Sequence, residues 1–173
     1  MLLPVEFIRA RERATVEYER LSPAAVVLLR QAGRRSAITP ETTAKNEMNG
    51  KYSDNAGFWP EHIPVAEGGA GALRSTLPVE NIVCAISDLG VPCEKSDDAG
   101  AFVCNSLFYA MLHHNKGSVP PRFIHVPYVR EQGHEEAPFM ESEDVYQAIF
   151  AAIEKVTRNE YRQHRTEIGA VGQ

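Results

Sequence analysis

The sequence has 173 residues, 43% of them apolar, and a formal net charge of -5. A chain of this size can bury a core without metal or disulfide staples, and its negative balance excludes the basic field with which nucleic-acid binders displace counterions from phosphates. Its longest apolar run, Ala24 to Leu29, falls far short of the roughly 20 residues that span a bilayer, so neither nucleic acid nor membrane is expected as a partner.

In chain order, Phe7, Ala10, Ala14, Tyr18 and Leu21 recur every three or four residues within Val5 to Leu21, the spacing of a helix with one buried face. The charged residues Arg9, Arg11, Glu12 and Arg13 fall in this first segment, unlike a secretory signal, and imply a cytoplasmic location. Ser22-Pro23 ends the helix. The run Ala24-Ala25-Val26-Val27-Leu28-Leu29 then reads as a strand covered on both faces. From Asn46 to Leu73 no periodicity is visible; a Gly-rich and Asn-rich stretch of this kind reads as a functional loop or partner surface. Within it, Phe58 and Trp59 read as packing or a subunit contact.

Thr76 is positioned to cap a helix beginning at Leu77-Pro78, with Ile82, Val83, Ile86 and Leu89 as its core face and Gly90 as its end. A short strand is expected near Cys93 to Ser96. Gly100 opens a further helix through Phe102, Leu107, Phe108, Met111 and Leu112, which ends near His113-His114. Phe123-Ile124-His125-Val126 is strand-like. The last helix starts at Ser142 with Asp144 in its first turn and Val145, Ile149, Ala152, Ile153 and Val156 turned inward. Glu135-Glu136 and Glu141-Glu143 read as solvated carboxylates flanking its start, and residues past Glu160 as a frayed polar tail. Alternating elements of these lengths imply an α/β fold, a three-layer α/β/α sandwich with a mainly parallel or mixed central sheet. Residues 1–160 are expected to form a single domain, and 161–173 a polar tail.

Cys84, Cys93 and Cys104 are three cysteines with no CxxC pair, which fits free thiols better than disulfides. With no paired ligand spacing, neither a metal nor a cofactor is expected. Cys104 falls in the first turn of the helix that follows Gly100, where unpaired N–H groups and the helix dipole favour a thiolate. His125, at the end of a strand, is a candidate base for it. By residue type alone, a cysteine among apolar neighbours is more often an inert core residue than a nucleophile.

The surrounding residues narrow this choice. Gly100 to Tyr109 read G-A-F-V-C-N-S-L-F-Y and Phe123 to Tyr128 read F-I-H-V-P-Y. Both segments resemble signatures of the pyroglutamyl peptidase I family. Gln31-Ala32-Gly33, Ile38-Thr39-Pro40-Glu41 and Asn46 resemble a third family segment, and Glu67-Gly68-Gly69 with Ser75-Thr76-Leu77-Pro78 a fourth. The resemblance implies a cysteine peptidase that removes an N-terminal pyroglutamyl residue from peptides. Cys104 would be its nucleophile, His125 its base and Glu41 the residue orienting that base, with Phe102 and Val103 lining the lactam pocket and Gln31 beside it as substrate-binding residues. It also allows for a homo-oligomer. The family's opening strand and G-F-x-P-F-G loop are not found in these 173 residues, and Arg30, Arg34, Thr42 and Lys51 depart from the family pattern. These departures support the alternative of a catalytically silent homologue acting as a binding or assembly module.

Overall fold

The computed structural model describes residues 1–75, 79–115, 119, 121–134 and 136–170, with side chains described as far as residue 158. The proposed Thr76 cap and Glu135 lie outside the described residues. Among the described residues, four α-helices and short strands in parallel and antiparallel pairs place the chain in the α/β class with mixed sheets. They are distributed over two compact units, Met1–Leu28 with Glu41–Leu77 and Ser96–Phe123, and Leu29–Pro40 with Pro78–Lys95 and Ile124–Gln173.

Helix α1 covers Phe7–Leu21 and buries Phe7, Ala10 and Ala14. Its exit is a left-handed residue, Ser22, whose N–H returns to the Tyr18 carbonyl and closes the last turn. Leu21, expected to face inward, is 58% exposed: it lies in that closing turn, beyond the stripe that packs. Strand β1 is Val27–Gln31, three residues later than the apolar run suggested, and it lies at the end of the three-stranded sheet. The expectation of cover on both faces therefore fails; Leu29 is 50% exposed.

Strands β2 (Thr39–Glu41) and β3 (Thr43–Lys45) follow, and β4 (Ala72–Arg74) pairs antiparallel with β3. Helix α2 (Val79–Ser87) stops before Leu89, which is 51% exposed instead of part of the core face, and Gly90 at φ 78 turns the chain away. The stretch after α2 does not become a named strand. It makes isolated parallel bridges, Ile38 to Cys93 and Glu41 to Ser96.

Helix α3 is Val103–Asn115 and is buried on almost every face in its first three turns. Strand β5 (Arg122–Val126) occupies the middle of the sheet order β1-β5-β2, which explains why four of its five residues are buried. Strand β6 (Tyr128–Val129) pairs in parallel with β7 (Phe139–Met140). Helix α4 runs Ser142–Ala170, past the Glu160 at which fraying was expected. Residues 158–168 contain no Gly or Pro and are rich in Arg, Glu and Gln, all good helix formers. Among its described side chains the buried positions are Ala148, Ala152 and Val156; Ile153 is 41% exposed because the packed stripe runs through the alanines beside it.

In the first unit α1 and α3 pack on one another, and α3 also covers the β3–β4 hairpin. The cluster there joins Ala14, Ala44, Leu107, Phe108, Tyr109, Met111, Leu112 and Phe123. In the second unit α2 packs on α4.

The long segment between β3 and β4 has no periodicity but is highly organised. Asn46 accepts the Ala66 N–H and donates to the Ala66 and Gly69 carbonyls, Met48 bridges Ile63, and the Trp59 indole donates to the Gly50 carbonyl.

Candidate active site

Gly100 at φ 81 takes a conformation that suits glycine, and it turns the chain into α3. The first helical bond in that turn is Ser106 N–H to the Phe102 carbonyl at 3.1 Å, so the N–H groups of Val103, Cys104 and Asn105 precede the helical ladder. Cys104 is the second residue of α3, half-buried and packed on the Phe108 cluster. The positive end of the helix dipole favours an anion at this position.

The neighbouring segments hold this turn. Asp98 Oδ1 accepts the Gly100 N–H at 2.9 Å and the Lys45 ammonium at 2.9 Å, and Asn49 N–H donates to the Ala101 carbonyl at 2.9 Å. The Asn105 side chain takes the Lys45 N–H and donates to the carbonyls of Lys45 and Glu47.

The two residues before the cysteine are fixed by packing. Val103 is buried with Phe7, Ala10 and Met48. Phe102 stands edge-on to Phe7 at 5.0 Å between ring centres and tilted against Tyr52 at 5.2 Å. Tyr52 is exposed, so an aromatic pair opens to solvent next to the helix start.

Glu41 closes β2 and is buried, and the N–H of the following Thr42 donates to the Ser96 carbonyl at 2.7 Å. His125 is the fourth of the five residues of β5, buried like its three predecessors. Gln31 ends β1 at the surface. Its amide donates to Gln132 Oε1 at 2.5 Å and accepts from Gln132 Nε2 at 3.2 Å, tying it to the 3-10 turn Arg130–Gln132. Glu41, Phe102, Val103 and Cys104 thus belong to the first compact unit, and Gln31 and His125 to the second.

The other thiols differ from Cys104 in setting. Burial, aided by the charge of Glu94, pushes the Cys93 thiol up to about 12, so it stays protonated at neutral pH. Cys84 lies exposed on α2. The two histidines that end α3 make structural contacts: His114 Nε2 lies 3.4 Å from Glu19 and edge-on to Tyr18, and His113 stacks on Tyr109. Among the described residues no group of three or more His, Cys, Asp or Glu is arranged to hold a metal ion, and no helix is long and apolar enough to cross a membrane. Of the residues that departed from the family pattern, Arg34 and Lys51 are exposed.

Sequence reasoning had passed over Asn105, Asp98 and Tyr52. Asn105 stood next to the cysteine in the quoted motif, which was the one available signal. The partners of Asn105 and Tyr52, and the Lys45 partner of Asp98, lie tens of residues away in the chain.

A family model described as pyroglutamyl peptidase matches residues 1–159. A pyrrolidone-carboxylate peptidase of Escherichia fergusonii is 40% identical over 137 residues, 77% of this chain and 64% of the relative. That of Gloeobacter violaceus is 46% identical over 116 residues, 66% of this chain and 57% of the relative. The chain therefore spans less than two thirds of the length of these curated relatives. Among solved structures, the pyroglutamyl peptidase I of Bacillus amyloliquefaciens superposes with a TM-score of 0.87 at 30% identity, over 91% of this chain and 77% of that one. A mutant pyrrolidone carboxyl peptidase of Pyrococcus furiosus gives 0.87 at 33% identity, over 91% and 80%.

Proposed function

Since the chain belongs to the pyroglutamyl peptidase family, we propose that it is a cysteine peptidase that releases N-terminal pyroglutamyl residues from peptides, with Cys104 as nucleophile, His125 as base and Glu41 orienting the base. The observation that carries the reading is the setting of Cys104: a half-buried thiol at the second position of a helix, in the family's own motif.

The Cys104 thiolate attacks the pyroglutamyl carbonyl, and the C=O electron pair moves to oxygen to give a tetrahedral oxyanion. Collapse of that species breaks the C–N bond. The leaving amine takes the proton that His125 carries, and the acyl group stays on Sγ as a thioester. Water then attacks the thioester while His125 removes its proton. Pyroglutamate leaves, and the proton restores the starting pair. Glu41 holds the imidazole in one orientation and offsets its positive charge while it is protonated. Two features favour an oxyanion near Cys104: the N–H groups of the first turn of α3 and the helix dipole. Phe102, with Tyr52 against it, offers an apolar wall of the size a lactam ring needs, and Val103 and Gln31 complete the residues that the family motif assigns to the substrate.

The test is release of a fluorescent amine from its pyroglutamyl derivative by the chain, with Cys104→Ala as the blank. Turnover abolished in the blank supports the reading. A wild-type chain that folds, carries a reactive Cys104 and turns over nothing rejects it in favour of a silent homologue.

A further inference from the structure

Asn105 is fully buried and spends its whole side chain on main chain from another part of the fold. Oδ1 accepts the Lys45 N–H at 2.8 Å, and Nδ2 donates to the Lys45 carbonyl at 2.9 Å and the Glu47 carbonyl at 2.8 Å. Both amide hydrogens are used. Three bonds to two separated residues fix the plane of the amide as well as its place, and so fix the rotation of α3 about its own axis.

The apolar packing and the ion pair beside this turn orient it less strictly. Val103 packs among Phe7, Ala10 and Met48, and apolar contact resists separation but only weakly resists rotation or sliding. The Lys45–Asp98 pair is exposed at both ends, where charges exchange readily with water. The bond from Asn49 N–H to the Ala101 carbonyl holds the chain before the cysteine. Asn105 holds it after the cysteine. Segment 45–49 therefore grips the nucleophile's turn from both sides, through one main-chain hydrogen bond before Cys104 and the three bonds of the Asn105 side chain after it.

We infer that Asn105 is a positioning residue for Cys104: its three hydrogen bonds set the direction in which the thiol leaves the first turn of α3. The inference rests on the peptidase reading for its consequence in turnover, but not for its consequence in thiol chemistry. Aspartate cannot donate, so Asn105→Asp turns two attractive contacts with carbonyl oxygens into repulsive ones. Asn105→Ser keeps one donor and one acceptor on a shorter arm.

The experiment measures iodoacetamide labelling of Cys104 by peptide mapping, alongside kcat and KM for the pyroglutamyl substrate, in both variants and well below their melting temperatures. Cys93 serves as the internal monitor, since its half-buried thiol, held protonated at neutral pH, is labelled slowly until the fold opens. With Cys93 protected, Asn105→Asp is expected to lower kcat by about 10- to 100-fold with little change in KM, and to slow Cys104 labelling by a similar factor. Asn105→Ser is expected to fall between it and the wild type. If Asn105→Asp exposes Cys93, the decision passes to Asn105→Ser. Wild-type labelling and wild-type kcat in a folded variant would overturn the inference. A wild-type chain that labels rapidly at Cys104 but cleaves nothing would reject the peptidase reading and leave the positioning role to be judged on labelling.

Discussion

The carboxylate of Asp54 accepts the N–H of Phe7, the first residue of α1, at 2.8 Å, although the two lie 47 positions apart in the chain. Glu6, at the N-cap position, makes no capping bond with its own side chain. Asp54 therefore does for α1 what a local Ser or Asp does elsewhere, while its other oxygen takes the N–H groups of Ala56 and Phe58 at 2.9 Å each.

Removing this remote cap should be felt in stability and in its pH dependence. Burial pushes the Asp54 carboxyl up, but the N–H donors of Phe7, Phe58 and Ala56 together outweigh it and hold the group below the usual carboxylate range. A depressed folded-state pKa means that the contribution is complete above the unfolded value of about 3.9 and is lost as pH falls through the folded value. Asp54→Asn is expected to lower stability by about 1–3 kcal/mol at neutral pH, and by less in acid. Urea melts at several pH values read this out; an equal loss at every pH would refute the charge-based account.

Cys104 should be the fast thiol of the three. Cys93 is held protonated by burial and Glu94, and Cys84, though exposed, sits on α2 and not at a helix start. Short exposure to iodoacetamide at neutral pH should label Cys104 first, Cys84 at the pace of a free thiol and Cys93 only after unfolding. Equal rates at Cys84 and Cys104 would remove the case for activation.

The role proposed for Glu41 makes a kinetic prediction. Glu41→Gln keeps the size of the buried side chain but removes the charge that stabilises an imidazolium, so kcat should fall on the order of 10²- to 10⁴-fold with a small change in KM. His125→Ala should fall at least as far. Steady-state kinetics on both, with circular dichroism to establish folding, tests the assignment. A folded Glu41→Gln variant with wild-type kcat would exclude Glu41 from the catalytic group.

Gly33 supplies a packing test. A Cβ added there would collide with the Tyr128 ring, which rests on His134 with 3.8 Å between ring centres. Gly33→Ala is expected to cost about 1–3 kcal/mol, and Gly33→Ala with Tyr128→Ala to cost less than the two single changes added together. Additive losses in a double-mutant cycle would show that the ring moves aside freely.

What could be read from the sequence divides along a physical line. The start of α3, the strand around His125 and the core stripe of α4 through Ala152 and Val156 were legible because each is a local pattern. Leu21, Leu89 and Ile153 misled because periodicity records that a residue is apolar but not which stripe a neighbouring element covers. Strands β2, β3 and β4 went unseen at three residues each, too short for an alternation, and Pro40 within β2 argues against a strand by its missing N–H. Cys104 and His125 were legible through the motifs around them. Asn105, Asp98 and Asp54 owe their roles to partners 47 to 60 residues away, with short bonds inside their own turns beside them for Asp98 and Asp54, and no short window along the chain contains such distant pairs.

The grip of Asn105 on Lys45 and Glu47 spans 60 and 58 positions, and this separation has a meaning in time. A ribosome adding about 5–20 residues per second releases β3 and the following segment roughly 3–12 seconds before the side chain that will clasp them. During that interval the main-chain groups of Lys45 and Glu47 that Asn105 will bind are left to water. Cys104 and Asn105 then leave the ribosome together, one residue apart, after the segment that Asn105 clasps. The order of synthesis thus brings the turn that carries Cys104 out after the main chain to which Asn105 binds it.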